Sequence, residues 1–480
     1  MEKQPSFVLK LSLEEMALRR VVVNLWNESD SLYTNQNFLI KVLGQPLLSN
    51  MKDKERWRDL LEGRVKVEVW NLVLPDSLKK KMMHLVRPIG YQILRWKISY
   101  KEFDAAIPEK LCWTFTGAVD NRRTAEKVVR LEKFDVVKRY ELACSFCLDD
   151  YLPLLWEELP KEIKKDFCLR FDHSTAEVPL EVYWAYVLKG EKSLLDSVAS
   201  KKFEQLDRFS SFHQCAFLSS ARAGNKAATE YFFQQLTSEE RDSSLIRAVY
   251  DVVAKRRDFC FGIRRFDIQE NVSDTLCYLL TVVAPEQQIQ VLKEHPYQVL
   301  RCFLDWPKQD LFLDIADLIR TFLPESDYGI LINDITRDIK NAGYYFPNLI
   351  QKFFLLSPTE FRKHFVCALC SFFPEFLYDE DTETLKVFFR NVDPECRARL
   401  VLNSQFCRFL GDLILKGDWN LVKVCVREAS LSKENKEKLK EGLLNEFRPR
   451  SREGKIIRSK RKLTRFFECL EETEVSASDK

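Results

Sequence analysis

The stretch that decides the fold runs from Ala221-Arg-Ala-Gly-Asn225 to Leu236-Thr-Ser-Glu239. A glycine between two apolar helical runs favours a left-handed helix end, because glycine tolerates positive φ better than other residues. Thr or Ser followed by Glu is typical of a helix start, since the hydroxyl caps free amides and the carboxylate complements the helix dipole. These residues therefore predict a pair of antiparallel helices followed by the start of a third.

The same helix-start mark recurs along the chain every 34 to 47 residues. The other marks are Leu159-Pro-Lys-Glu162, Ala199-Ser-Lys-Lys202, Ala284-Pro-Glu286, Leu323-Pro-Glu325, Ser357-Pro-Thr-Glu360, Asp393-Pro-Glu395 and Leu431-Ser-Lys-Glu434. Glycine turns lie between some of them, at Lys189-Gly-Glu191 and Lys416-Gly-Asp418, and Asp149-Asp150 occupies the equivalent turn of the first unit. Helix pairs at this spacing predict an all-α solenoid, in which each pair buries its apolar face against the next.

The composition agrees with a helical chain. Only 13 of 480 residues are glycine, against roughly 7% in ordinary proteins, which disfavours sheet-rich folds and phosphate-cradling loops. The best strand candidate is the alternation Val65-Lys-Val-Glu-Val-Trp70, but its flanks are helical in character. The 75 Lys and Arg residues nearly balance the 72 Asp and Glu residues, which argues against a dedicated nucleic-acid binder.

We expect three sections in the chain. Residues 1–130 form a helical N-terminal unit with helices near 7–27, 52–62, 76–97 and 121–131, and residues 131–447 form a right-handed repeat array. Residues 448–480 are first basic and then acidic, and this composition predicts a disordered tail. Within the tail, Arg458, Lys460, Arg461 and Lys462 match a nuclear-import run, although basic runs also occur at ordinary solvated termini.

The sequence lacks a secretory signal and a membrane span, so we expect a cytoplasmic protein, with the nucleus as the alternative. The 14 cysteines are then interpreted as reduced thiols. The pairs Cys144/Cys147 and Cys367/Cys370 have zinc-like spacing but lie in apolar helical runs, where core packing is favoured over a metal site.

The sequence contains none of the common catalytic motifs. The chain contains no phosphate-binding Gly-rich loop, dinucleotide fingerprint, His-Glu-x-x-His helix or Gly-x-Ser-x-Gly elbow. The five histidines, at positions 84, 173, 213, 295 and 364, are scattered. We therefore expect no enzyme, no cofactor and no metal, and we keep a catalytic site of unrecognised type as the third alternative.

One N-terminal stretch carries a candidate docking pattern. Ser12-Leu-Glu-Glu-Met-Ala-Leu-Arg-Arg-Val21 places Leu13, Ala17 and Val21 on one helical stripe. This stripe resembles the box by which substrate receptors of cullin ubiquitin ligases dock elongin C, although Ala17 stands where that box prefers Cys. Leu74-Pro75 similarly resembles the Leu-Pro element that helps such receptors choose the cullin. The alternative is an ordinary amphipathic helix buried in the core.

Several longer strings carry a second resemblance: Met16-Ala-Leu-Arg-Arg-Val-Val-Val-Asn-Leu-Trp26, Arg87-Pro-Ile-Gly-Tyr91 with Trp96, Leu111-Cys-Trp-Thr114, Arg139-Tyr-Glu-Leu-Ala-Cys-Ser-Phe-Cys-Leu148, Leu155-Trp-Glu-Glu-Leu-Pro160 and Ala221-Arg-Ala-Gly-Asn225. Together they resemble a lineage-expanded family of uncharacterised arachnid proteins labelled ankyrin-like. The resemblance implies a helical-repeat fold and no particular activity. The link to ankyrin itself is partial, because the chain has no Thr-Pro-Leu-His and all of its steps exceed the 33 residues of an ankyrin repeat.

These observations lead to one expected function and one alternative. The expected function is a protein–protein interaction scaffold that binds unidentified protein partners through the helical-repeat surface, without catalysis. The alternative is a substrate receptor of a cullin-type ubiquitin ligase, with the N-terminal helix docking elongin C.

Overall fold

The chain divides into two compact units, Met1–Leu311 and Phe312–Lys480. The structure is a computed structural model, and it describes residues 7–28, 62–100, 103, 111–169, 179–195, 211–258, 266–342, 347–363, 382–446 and 461–471. Within these ranges every regular element is a helix, and an isolated antiparallel bridge joins Trp113 and Val119. The predicted all-α class is therefore confirmed.

The described residues of the first unit form fourteen α-helices that lie wholly within it. They are α1 (Leu13–Glu28), α2 (Gly63–Asn71), α3 (Asp76–Ser99), α4 (Asn121–Val129), α5 (Val136–Ser145), α6 (Leu152–Glu158), α7 (Lys161–Leu169), α8 (Leu180–Leu188), α9 (Phe212–Ala223), α10 (Lys226–Gln235), α11 (Ser238–Asp258), α12 (Phe266–Val282), α13 (Pro285–Glu294) and α14 (Pro296–Cys302). Helix α15 (Gln309–Ile319) begins in the first unit and ends in the second.

The second unit continues with α16 (Glu325–Ala342), α17 (Pro347–Leu356), a short 3-10 turn (Thr359–Phe361), α18 (Thr382–Arg390), α19 (Pro394–Val401), α20 (Ser404–Lys416), α21 (Trp419–Ala429) and α22 (Lys433–Glu446). A last helical stretch covers residues 461–471. Leu463, Phe466 and Leu470 of this stretch bury their side chains. The rest of the tail expected to be disordered lies outside the described residues, so that expectation remains a prediction.

The helix-start marks predicted from sequence coincide with helix starts, and those at Thr237, Asp393 and Ser432 also cap them through side-chain hydrogen bonds. Each mark on described residues precedes a helix or, at Thr359, a 3-10 turn; the mark at 199–202 lies outside the described residues. At Thr237 the cap is reciprocal, because the Thr237 backbone N–H donates to Glu240 Oε2 (3.0 Å) and the Glu240 N–H donates to Thr237 Oγ1 (3.3 Å). The predicted helix starts are thus observed at these marks, and the repeat arrangement remains a prediction.

The glycine turns also have the predicted geometry. Gly190, Gly224 and Gly417 have φ values of 77°, 77° and 87°, in the left-handed region. The turn after α5 differs, because the left-handed residue there is Cys147 (φ 49°) and not one of the predicted aspartates.

The N-terminal helices match the predicted positions at α1, α3 and α4, whereas the helix expected at 52–62 lies outside the described residues. The strand candidate at 65–70 is part of α2. Val65 and Val69, four residues apart, are fully buried there, so the valines follow helical spacing as well as alternation.

Distant parts of the first unit meet in its core. Helix α1 packs against α3, and α3 in turn contacts α12. The Phe7 ring stacks on Phe303 with centroids 6.1 Å apart, and the Trp306 indole N–H donates to the Gly117 carbonyl over 3.2 Å. The first and last parts of this unit therefore share one buried core.

Neighbouring helices build the core of the second unit. Helix α18 packs on α21, and α20 packs on α22. Glu428 of α21 accepts two hydrogen bonds from the Arg390 guanidinium of α18, at 2.7 and 2.8 Å. The division between the two units falls inside the expected array 131–447, and a separate module at 1–130 remains a prediction.

Candidate adaptor-docking face

The candidate site begins with the capped start of α1. The Ser12 backbone N–H donates to Glu15 Oε2 (2.7 Å), and the Glu15 N–H donates to Ser12 Oγ (3.2 Å). The backbone N–H of Ser12 holds the pKa of Glu15 below its ordinary value, with further help from the Ser12 hydroxyl, Arg19 and Lys81. Glu15 is therefore ionised at neutral pH and fixes Leu13 as the first residue of the helix.

One face of α1 is buried against the rest of the first unit. Leu18, Val22 and Trp26 are buried, and the Trp26 indole N–H donates to the Val86 carbonyl of α3 over 2.9 Å. Because Trp26 closely approaches Gly90, the two helices are in close contact at this point. This face anchors the helix.

A buried arginine fixes the same helix to two further segments. The Arg19 guanidinium donates to the Thr116 carbonyl (2.9 Å) and to Asp310 Oδ2 (2.6 Å), and it lies 4.7 Å from the centroid of the Trp306 ring. Charge-assisted hydrogen bonds of this kind restrict both the position and the rotation of a helix. The direction in which the outer face of α1 points is therefore well determined.

The predicted stripe lies on that outer face. Leu13 is 83% exposed, Ala17 is also exposed, and Val21 is half-buried. An apolar side chain exposed at the start of a well-anchored helix has much surface left to bury against a partner. The helix is thus partly buried, as an ordinary amphipathic helix would be, but its predicted docking residues are not the ones that the core covers.

The Leu-Pro element lies just before α3, a helix that α1 contacts. Pro75 immediately precedes α3, and Leu74 and its neighbour Val73 are exposed. Glu14 Oε1 pairs with Lys81 Nζ at 2.5 Å, and Lys81 stands five residues into α3, a rise of about 7.5 Å. This ion pair joins the first turn of α1 to the second turn of α3, and a shared docking surface with Leu74 and Pro75 remains a prediction.

Sequence reasoning missed two features of this region. One is the anchoring role of Arg19, for which no sequence pattern gave a signal. The other is the exposed apolar surface of α2, where Val67 and Trp70 point away from the core and Lys79 Nζ lies 5.9 Å from the Trp70 ring centroid. The alternation at 65–70 carries that second signal, although it favours a strand as readily as a helix with two apolar faces.

Cys144 of α5 and Cys147, in the turn after it, are enclosed by the core of the first unit. Cys144 and Cys147 are buried, and burial raises the pKa of Cys147 to about 12 and also raises that of Cys144. Both groups are protonated thiols at neutral pH, and thiols bind metals and attack electrophiles poorly. The described residues hold no cluster of metal-ligating side chains, and Cys367 and Cys370 lie outside them.

The remaining candidates give no site. His213 packs against the rings of Tyr183 and Phe232, while His173 and His364 lie outside the described residues. Of the basic run, Arg458 and Lys460 also lie outside, and Arg461 and Lys462 begin the helix at 461–471. Lys462 Nζ donates to the Leu415 carbonyl over 2.6 Å, and nuclear import through this run remains a prediction.

No family model matches the chain, and a search of curated proteins finds no match. No described helix is both long enough and apolar enough to cross a lipid bilayer.

Proposed function

We propose that this chain acts by binding other proteins and has no catalytic role. The observation that carries the proposal is the outer face of α1, where Leu13 is almost fully exposed on a helix whose other face is anchored by Trp26 and Arg19. A partner that buries such a leucine gains about 1.5–3 kcal/mol of hydrophobic free energy. Because the helix is already fixed, little of that gain is lost in ordering it.

Recurring helix pairs would be a second support for a binding role. The turns at Gly190, Gly224 and Gly417 and the recurring caps favour repeated helix pairs. An open row of pairs would contact only sequence neighbours, whereas Arg19 and Asp310 meet across 291 residues. We therefore assign binding first to the α1 face, and a concave repeat surface second.

Among protein-binding roles, the outer face of α1 favours that of a ubiquitin-ligase substrate receptor. Leu13, Ala17 and Val21 match the stripe of the elongin C box, and Leu74 and Pro75 precede α3, whose Lys81 pairs with Glu14 of α1. In this proposal elongin C covers the stripe, and other surfaces of the chain select the substrate.

A purified binding assay tests the receptor proposal. Immobilised elongin C is expected to retain the intact chain, and Leu13→Asp is expected to weaken retention at least tenfold, since a carboxylate cannot enter an apolar pocket without a large desolvation cost. The substitution is compatible with the formation of α1, because an acidic residue in the first turn of a helix complements the helix dipole.

The matched control is Leu154→Asp, which changes another exposed leucine, in α6. This variant is expected to bind as well as the intact chain. Failure of the intact chain to bind elongin C would remove the receptor form. The broader binding proposal is tested separately, by reconstituting complexes from purified candidate partners and measuring their mass by light scattering with and without Leu13→Asp.

A further inference from the structure

A basic cleft lies beside the α1 stripe. Its volume is about 490 Å³, and its walls come from α1, from the segment around Trp113 and from α4. This volume is within the range of ordinary ligand and peptide pockets. We call it the α1–α4 cleft.

The charges of the α1–α4 cleft are strongly unequal. Four cationic side chains line it, Arg20, Arg123, Lys127 and Arg130, together with one carboxylate, Glu126. That carboxylate is already engaged, because Glu126 Oε1 lies 3.5 Å from Arg122 Nε. The cleft therefore presents a net positive charge to a ligand.

The cations are only weakly neutralised by their own surroundings. Arg130 donates to the Tyr151 hydroxyl (2.9 Å from Nε), and Arg123 Nε lies 3.6 Å from Asp120 Oδ2 at an exposed position. Among the described residues, no carboxylate pairs with Arg20 or Lys127, and both side chains are exposed. These two residues are the ones most available to an acidic ligand.

Trp113 contributes the aromatic part of the cleft lining, and its side chain is half-buried. Leu111 and Cys112 precede it in the same wall, so the cationic side chains lie beside a less polar surface.

A second, larger cleft in the first unit has no excess of positive charge. Its volume is about 640 Å³, and it is lined by both Lys308 and Asp274, which form an ion pair with each other. Because these charges compensate one another, the larger cleft gives no preference for an anionic or a cationic ligand. The α1–α4 cleft is therefore the stronger candidate.

From this geometry we propose that the α1–α4 cleft binds a short acidic peptide segment of a partner protein. Arg123 and Lys127 of α4 and Arg130, the residue after it, follow one another at intervals of four and three residues, so they lie on one side of the helix over about 10 Å. An extended peptide covers that distance with about three residues. Several carboxylates along a chain fit this spread of charge better than one small anion does.

The nucleic-acid alternative is disfavoured by the same residues. Nucleic-acid grooves combine cations with exposed aromatic rings on which bases stack, and the aromatic residue lining this cleft, Trp113, is half-buried. The whole chain has a net charge of only +3, so long-range attraction of a polyanion is weak. The proposal does not depend on elongin C docking, because the residues of α1 that line the cleft are Arg20 and Asn27 and not Leu13, Ala17 or Val21.

The test uses the full chain and a fluorescein-labelled hexaglutamate peptide in an anisotropy titration. We expect saturable binding at about 50 mM NaCl that weakens as salt is added, and no binding of hexaglutamine. Arg20→Glu with Lys127→Glu is expected to weaken hexaglutamate binding at least tenfold. The matched control, Lys161→Glu with Lys165→Glu, changes the total charge equally on α7 and is expected to stay within twofold of the intact chain.

Several outcomes would overturn the proposal. They are no hexaglutamate binding by the intact chain, an equal loss in both double variants, and tighter binding of a ten-residue thymidine oligonucleotide than of the peptide. If thermal melts show that the charge reversal unfolds the chain, Arg20→Gln with Lys127→Gln replaces it, with a smaller but measurable loss expected. Elongin C retention by Lys127→Glu is measured alongside and is expected to be unchanged, so either proposal can fail alone.

Discussion

At the scale of single residues, the contact between Trp26 and Gly90 shows how α1 is held. A glycine within a helix usually costs about 1 kcal/mol relative to alanine, so its presence in α3 calls for a packing reason. The reason is the Trp26 indole, because a methyl group at Gly90 would lie only 2.8 Å from Trp26 Cη2. The glycine allows the indole to reach the backbone of α3 and donate to Val86.

We expect Gly90→Ala to lower the free energy of unfolding by about 1–3 kcal/mol, because the added methyl overpacks the contact with Trp26. Urea denaturation followed by near-ultraviolet circular dichroism measures the change. Gly63→Ala is the control and is expected to be neutral or slightly stabilising, since no atom lies within 4 Å of the added methyl. Trp26→Phe should reduce the cost of Gly90→Ala; a cost that stays the same in that background would contradict the explanation.

At the scale of elements, the sequence predicted helix ends better than helix packing. The Asp393-Pro-Glu395 mark is a capped helix start, and Gly417 is a left-handed helix end, because both depend on contacts within a few residues. The strand candidate at 65–70 is ambiguous for the same local reason, since alternation and helical spacing share Val65 and Val69. Which face of α1 would be exposed could not be predicted, because it depends on Arg19 reaching Asp310.

The cap at Asp393 gives a prediction with a pH dependence. Its carboxylate accepts from the Cys396 backbone N–H over 2.7 Å, and this bond holds the pKa of Asp393 below its ordinary value. Asp393→Ala is expected to lower the free energy of unfolding by about 1 kcal/mol at pH 7. A group whose pKa is lower in the folded state stabilises the protein above its unfolded pKa, and this contribution disappears as the pH falls through the folded value.

The difference between Asp393→Ala and the intact chain should therefore shrink between about pH 5 and pH 3, as measured by urea denaturation at each pH. Asp412→Ala is the control, because Asp412 is an exposed residue within α20 that does not cap a helix. A difference for Asp393→Ala that stays unchanged over this range would show that the carboxylate charge is not involved.

At the scale of the whole molecule, contacts between residues far apart in sequence hold the first unit together. Such contacts could not be predicted from the sequence. The repeat marks describe steps of 34 to 47 residues, whereas the bonds of Arg19 span 97 residues to Thr116 and 291 residues to Asp310. No periodic pattern specifies such partners, because they depend on how all the intervening helices pack. The same limit explains why the repeat marks give no sign of the division between residues 311 and 312.

Two compact units predict two unfolding transitions in calorimetry. Arg19→Met keeps the apolar stem of the side chain but removes the hydrogen bonds to Thr116 and Asp310, so it is expected to destabilise the first unit by about 2 kcal/mol and shift only its transition. Glu428→Gln removes the charge that Arg390 contacts and is expected to lower only the transition of the second unit. If both variants lower the midpoint temperature of one common transition, the chain unfolds as a single cooperative body and the two units are not thermodynamically separate.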